Sequence, residues 1–211
     1  MHWAKALSAG LLACALLAAG GTGRAAESRS DTYAPVKTDT GLLAQSWYLN
    51  SFLELQADLA NASEKGKRFV VVWAQKGCPY CEKMHEKNFT IPAVTDYVRK
   101  HFDVLQLNLH GERRVTDFDG EVLPENDLAR KYGVTYTPTI QFFPADPAEA
   151  EGRPGHKAEI ERVAGYLEPV PFLAVFKYVA DATYQEVGLR AYLDERARRE
   201  LKDAGFQPKA W

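Results

Sequence analysis

The chain has 211 residues, 46% hydrophobic and 11% aromatic, with 26 Lys+Arg against 28 Asp+Glu and a net charge of −2. That composition supports a packed core and excludes global disorder; a near-neutral balance without a long basic stripe excludes a general electrostatic drive toward nucleic acid. Only 15 Gly and 3 Cys exclude collagen-like and disulfide-scaffold architectures, and no apolar run reaches the ~20 residues of a membrane span.

The first 25 residues read as a secretory signal peptide. Lys5 supplies a positive start, Ala6 to Ala19 is apolar or small, and Gly20, Gly21 and Gly23 break the run before a small-x-small cleavage site at Ala25; Ala19 and Ala26 offer other cuts. Leu11-Leu12-Ala13-Cys14 also resembles a lipobox, which would anchor the chain through a lipid on Cys14. Removal of residues 1–25 takes out Lys5 and Arg24 and no acid, so the net charge falls to −4 and two cysteines remain. An exported, periplasmic location follows as the expectation.

Residues 26–40 are polar and read as a flexible leader, followed by one domain over 41–211. Leu42 to Ala60 is predicted as a helix from Trp47, Phe52, Leu53, Leu55 and Leu59. Phe69-Val70-Val71-Val72-Trp73 predicts a strand buried on both faces, with Trp73 in the core. A helix to about Asn88 follows the next turn, then a helix over Val94 to His101 and a strand over Phe102 to Leu109. Asp119-Gly120 marks a hairpin between Val115 and Val122, read as solvated or as an acidic docking element for a partner. A short helix ends at Gly133, strands cover Thr139–Phe143 and Glu159–Ala164, and a loop covers Ala145–His156. Phe172, Val175, Phe176 and Val179 mark an amphipathic helix, suited to packing on the domain or to a dimer face; Gln185 to Ala204 is a charged one. Helices alternating with strands predict an α/β sandwich around a small mixed sheet, with a helical extension over 168–204.

The strongest motif is Cys78-Pro79-Tyr80-Cys81, between the buried strand and a helix. Residues three apart on a helix share a face, so the two sulfurs can close a short disulfide. Cys78 is predicted at the helix N-cap, where unpaired N–H groups and the dipole favour a thiolate; Pro79 then falls where its missing N–H costs nothing. Cys78 attacks a partner disulfide and Cys81, expected to be the more buried, resolves the mixed disulfide. Lys76 adds positive charge nearby, and Tyr80 is expected to be exposed against a bound partner chain. Thr137-Pro138-Thr139 precedes a strand; Pro138 there is either cis, freeing backbone for an extended substrate, or an ordinary trans loop proline.

Together these residues resemble the thioredoxin superfamily. Gly77 to His85, Val115 to Gly120 and Tyr136 to Phe143, with Gly165-Tyr166-Leu167 and Pro171-Phe172-Leu173, resemble the SoxW-type periplasmic thioredoxins most. The resemblance implies a thioredoxin fold with two extra C-terminal helices and a thiol–disulfide reductase without cofactor. It also implies electrons arriving from a membrane thiol transporter of the CcdA or SoxV type and passing to exported partners such as a SoxYZ-like carrier. It makes Cys78 the attacking and Cys81 the resolving thiol. It makes Pro138 a cis-proline beside the disulfide, with Thr137, Pro79 and Tyr80 against the substrate.

One departure stands out. The family carries a buried Asp six residues before the first cysteine, where this chain has Val72. The proton of Cys81 then needs another carrier, with Glu82 or water as the candidates. Two other readings stay open: an oxidase or isomerase of the DsbA or DsbC type, and a non-catalytic metal module using Cys78, Cys81 and His85.

Overall fold

The computed structural model describes residues 33–203. The signal peptide with Cys14, residues 26–32 of the leader and Ala204 lie outside that range.

The elements in chain order are β1 (Pro35–Lys37), β2 (Leu43–Gln45), α1 (Leu55–Glu64), β3 (Arg68–Ala74), α2 (Pro79–Lys83) with a π-helical turn (Met84–Asn88), α3 (Pro92–His101), β4 (Phe102–Asn108), β5 (Arg114–Thr116), β6 (Val122–Pro124), α4 (Glu125–Lys131), β7 (Thr139–Phe142), α5 (Gly155–Ala158), β8 (Glu161–Ala164), α6 (Pro169–Ala180) and α7 (Leu189–Asp203). The main sheet has the order β4-β3-β7-β8. β4 is parallel to β3, while β7 and β8 are antiparallel to their neighbours.

The unbroken apolar run of β3 is explained by its place. Successive side chains point to opposite faces, and both faces are covered. Phe69, Val71 and Trp73 pack with Leu55, Leu59, Leu105, Leu107 and Leu128, under α1 and α4. Val70 and Val72 pack with Val94, Val98, Phe142, Phe172 and Phe176, under α3 and α6. Each fully buried side chain of this size contributes about 1.5–3 kcal/mol relative to exposure. The stripe on α6 therefore belongs to the domain: the Phe176 ring meets Phe102 at 4.9 Å and Phe142 at 5.2 Å.

Three expectations are corrected. The apolar residues from Leu42 to Ala60 do not form one helix; only Leu55–Glu64 is helical. Trp47 and Tyr48 pack in the α3/α6 core while Leu53 and Leu55 pack in the α1/α4 core, so the chain between them passes from one side of the sheet to the other. A left-handed Leu53 (φ 64°) makes the turn, and Phe52 beside it is 98% exposed. Residues 35–37, read as leader, form a strand on β2, with Val36 opposite Ala44. The chain then lies along the outer edge of β4, where the Leu49 N–H donates to the Val104 carbonyl (2.8 Å) and Gln106 Nε2 to the Leu43 carbonyl (2.8 Å).

The third correction is the β5–β6 hairpin, which turns at Gly120 (φ 84°) but is not simply solvated. Asp117 is 1% exposed. Its Oδ1 accepts the Phe118 N–H (2.7 Å), the Gly155 N–H (3.0 Å) and the Tyr132 hydroxyl. Lys131 Nζ on α4 reaches Asp117 (2.6 Å), Asp119 (2.8 Å) and Glu121 (2.8 Å). The acidic turn is consumed by a clasp that joins the hairpin to α4.

Candidate active site

β3 delivers the chain to the site at Ala74. Gly77 (φ 71°) makes the left-handed turn that a side chain would strain, and Cys78 enters α2 as its N-cap, in extended backbone. Cys78 Sγ accepts the Cys81 N–H at 3.1 Å, and Pro79 occupies the first helical position. Cys78 and Cys81 are disulfide-bonded, with their Cα atoms 5.3 Å apart. The N-cap geometry read from the spacing is thus present, and it places a helical N–H on the sulfur expected to carry negative charge.

Cys78 is as buried as Cys81, at 3% and 4% exposure, where the sequence suggested a more exposed nucleophile. Leu42 and Ala74 pack against both cysteines. Thr137 lies against the first sulfur, its Oγ1 3.3 Å and its carbonyl oxygen 3.4 Å from Cys78 Sγ. The Thr137–Pro138 peptide bond is cis. The Pro138 carbonyl accepts the Gly165 N–H (2.8 Å), and Thr139 Oγ1 donates to the Tyr136 carbonyl (2.7 Å), so both ends of this loop are held.

Beside the disulfide lies an apolar groove of about 510 Å³, lined by Tyr80, Tyr136, Thr137, Ala164, Gly165 and Tyr166. Tyr80 is 59% and Tyr136 70% exposed. Tyr80 stacks on Tyr166 with ring centres 6.2 Å apart, and Lys83 Nζ sits 4.2 Å from the Tyr166 centroid while pairing with Glu168 at 2.6 Å. The groove thus brings Tyr80 and Thr137 together as expected and adds Tyr136, an exposed aromatic next to the Thr-Pro pair. Lys76 and Glu82 are both exposed, and an exposed carboxylate cannot act as a buried proton carrier. Trp73 is buried, its indole N–H donating to Gln141 Oε1 (2.5 Å).

In the sequence His85 is a solvated or packing residue of the helix, or a third ligand in the metal-module alternative. It is fully buried on the π-helical turn just beyond Cys81. Its Nδ1 is 3.3 Å from Gln45 Nε2 and its Nε2 is 3.4 Å from Gln106 Nε2, and its ring lies against Tyr48 (5.7 Å) and Phe89 (5.8 Å). Burial lowers its pKa to about 4, so the imidazole is neutral at pH 7. Among the described residues, no three His, Cys, Asp or Glu side chains are grouped to hold a metal ion. The one signal for His85 in the sequence was its position four residues after Cys81; its glutamine partners are 40 residues before and 21 residues after it in the chain.

The sequence profile of the thioredoxin-like domain matches residues 55–180. No curated protein matches the chain. Similar solved structures include a thioredoxin-fold protein from Helicobacter pylori, 24% identical over 63% of this chain and 86% of that one, with a TM-score of 0.48. A thioredoxin from Thermus thermophilus is 24% identical over 63% and 85%, with a TM-score of 0.46. The C-terminal domain of DsbD from Neisseria meningitidis, in its oxidised form, is 16% identical over 58% and 90%, with a TM-score of 0.40. The profile spans more than half of the chain and contains the Cys78–Cys81 pair at its helix start, so the chain belongs to the thioredoxin-like domain family and is a thiol–disulfide oxidoreductase.

Proposed function

We propose that this oxidoreductase works outside the cytoplasm as a reductase, taking electrons from a membrane thiol transporter of the CcdA or SoxV type and reducing disulfides on exported proteins, a SoxYZ-like carrier among them. The export reading rests on residues 1–25. The reductase reading rests on the resemblance of residues 77–85, 115–120 and 136–143 to SoxW-type thioredoxins. The observation that carries the chemistry is the pair of donors on Cys78 Sγ, the Cys81 N–H and the Thr137 hydroxyl. Both stabilise a thiolate, which attacks the target disulfide. The target sulfur leaves with the electron pair, and Cys81 then attacks Cys78 Sγ, releasing the second target sulfur and regenerating the disulfide. The target's extended chain lies against Thr137 and Pro138, with its side chains between Tyr80, Tyr136 and Tyr166.

The test is the reduction potential of the Cys78–Cys81 pair, by equilibration against thiol buffers, with insulin reduction as the activity. A value near or below roughly −230 mV and loss of activity in Cys78→Ser are expected. A value near roughly −120 mV overturns the reductase reading in favour of an oxidase.

A further inference from the structure

We propose that His85 is the base that takes the proton of Cys81 during resolution, occupying the role for which position 72 offers only a hydrocarbon. The inference rests on the dithiol exchange described above and concerns its second half.

Three observations carry it. His85 follows Cys81 by four residues along one continuous helical segment, so the side chains are neighbours, with Cβ atoms about 6 Å apart; both are buried. The imidazole is held by two glutamine amides at 3.3 and 3.4 Å, contacts at the weak end of hydrogen bonding. Each ring nitrogen faces one of these amides, and among the described residues no carboxylate or ammonium bonds to the ring; the neutral imidazole keeps one unprotonated nitrogen. Finally, the site has an exit. A cleft of about 460 Å³ is lined by Gln45, Gln106 and Tyr48, which pack against the ring. Leu42 lines the same cleft and packs on Cys78 and Cys81. Gln45 Oε1 and the Tyr48 hydroxyl are buried without a protein partner among the described residues.

The charged and titratable groups around the ring do not compete for this role. The Tyr48 phenol is held well above its ordinary pKa by burial and stays neutral. Arg113, on the cleft wall, donates to Glu125 (2.5 Å) and to the Gln106 carbonyl (3.1 Å). Asp39 lies exposed at the rim.

With a target sulfur joined to Cys78, Cys81 gives its proton to His85 as its sulfur attacks Cys78 Sγ. The Cys78–target bond breaks and the target sulfur leaves with the electron pair as a thiolate. The dithiol ends as a disulfide, oxidised by two electrons while the target is reduced by two. The imidazolium, disfavoured where it is buried, releases its proton through the cleft.

Stopped-flow reaction of the reduced full chain with dithiobis-nitrobenzoate separates the two halves, because one coloured thiolate is released when Cys78 attacks and a second when Cys81 resolves. With His85 as base, the second release is nearly flat between about pH 5.5 and 7.5. Without a base it follows the Cys81 thiolate and climbs about tenfold per pH unit. In His85→Gln, which keeps an amide in place of the ring, the second release falls about 100-fold at neutral pH and acquires that slope, while the first stays within about twofold. A steep wild-type profile overturns the inference even if the variant does not fold. So does a folded variant with an unchanged second release, or with both releases slowed equally, which marks a structural role. Loss of the first release overturns the exchange activity itself, and the inference with it.

Discussion

Thr137 donates its hydroxyl to Cys78 Sγ across 3.3 Å, although the two residues are 59 positions apart in the chain. The contact exists because β7 pairs with β3, with Thr139 opposite Trp73, and so brings the start of one strand beside the end of the other. A donor to a thiolate stabilises the charged form, a contribution of about 1.5 kcal/mol for a charge-assisted bond. In Thr137→Val the Cys78 thiol pKa is expected to rise by about one unit, read from the pH dependence of iodoacetamide alkylation of the reduced protein. An unchanged pKa would assign the thiolate to the helix N-cap alone.

The tyrosine groove is expected to separate large targets from small ones. Tyr80 and Tyr136 stand 59% and 70% exposed at its rim, so neither supports the core. Tyr80→Ala together with Tyr136→Ala is expected to raise KM for a protein disulfide such as insulin about tenfold, near 1.4 kcal/mol, with attack on dithiobis-nitrobenzoate unaltered. An equal loss on both substrates would mean that the rings shape the dithiol itself rather than bind the target.

The Asp117–Lys131 clasp is a stability element. Burial alone would lower the Lys131 pKa; the hydrogen bonds to Asp117, Asp119 and Glu121 outweigh it and hold the ammonium protonated. Lys131→Met leaves the carboxylate of Asp117 buried with only its neutral donors. A loss of about 3 kcal/mol is expected from the urea midpoint, with Lys131→Arg recovering part of it. A loss below about 0.5 kcal/mol would contradict a structural clasp.

The buried imidazole also gives a pH signature of stability. An unfolded histidine titrates near 6.5, whereas His85 in the fold is held down to about 4 by burial. As pH falls, the unfolded state therefore binds its proton first. The contribution is full above about pH 6.5 and is lost progressively down to about pH 4, amounting to about 3 kcal/mol. Urea unfolding at several pH values should show a steeper acid loss in the wild type than in His85→Gln; parallel curves would mean that the fold does not lower the His85 pKa.

The parts of the site that were legible in the sequence are local ones. A residue triple on a helix start is a matter of neighbouring positions, so Cys78, Pro79 and Cys81 could be assigned their geometry from spacing alone. The buried run of β3 was legible because continuous apolar residues have few other uses at that length. What was not legible depended on where distant segments meet. Leu42 to Ala60 shows helical spacing, yet its apolar residues serve two cores on opposite sides of the sheet, a division that periodicity cannot express. The buried setting of His85 was hidden because the glutamines that enclose it come from β2 and β4. Asp117 looked solvated because Lys131 and the Gly155 N–H arrive from other elements.

The segment laid along β4 has a consequence for association. A sheet margin with free N–H and C=O groups is a template on which a foreign strand can nucleate. Here the segment from Leu43 to Leu49 already occupies part of that margin: the Leu49 N–H donates to the Val104 carbonyl, and the Gln106 side chain holds the Leu43 carbonyl. The chain thereby covers part of one rim of its sheet with its own backbone, and a strand from another molecule cannot zip onto that stretch.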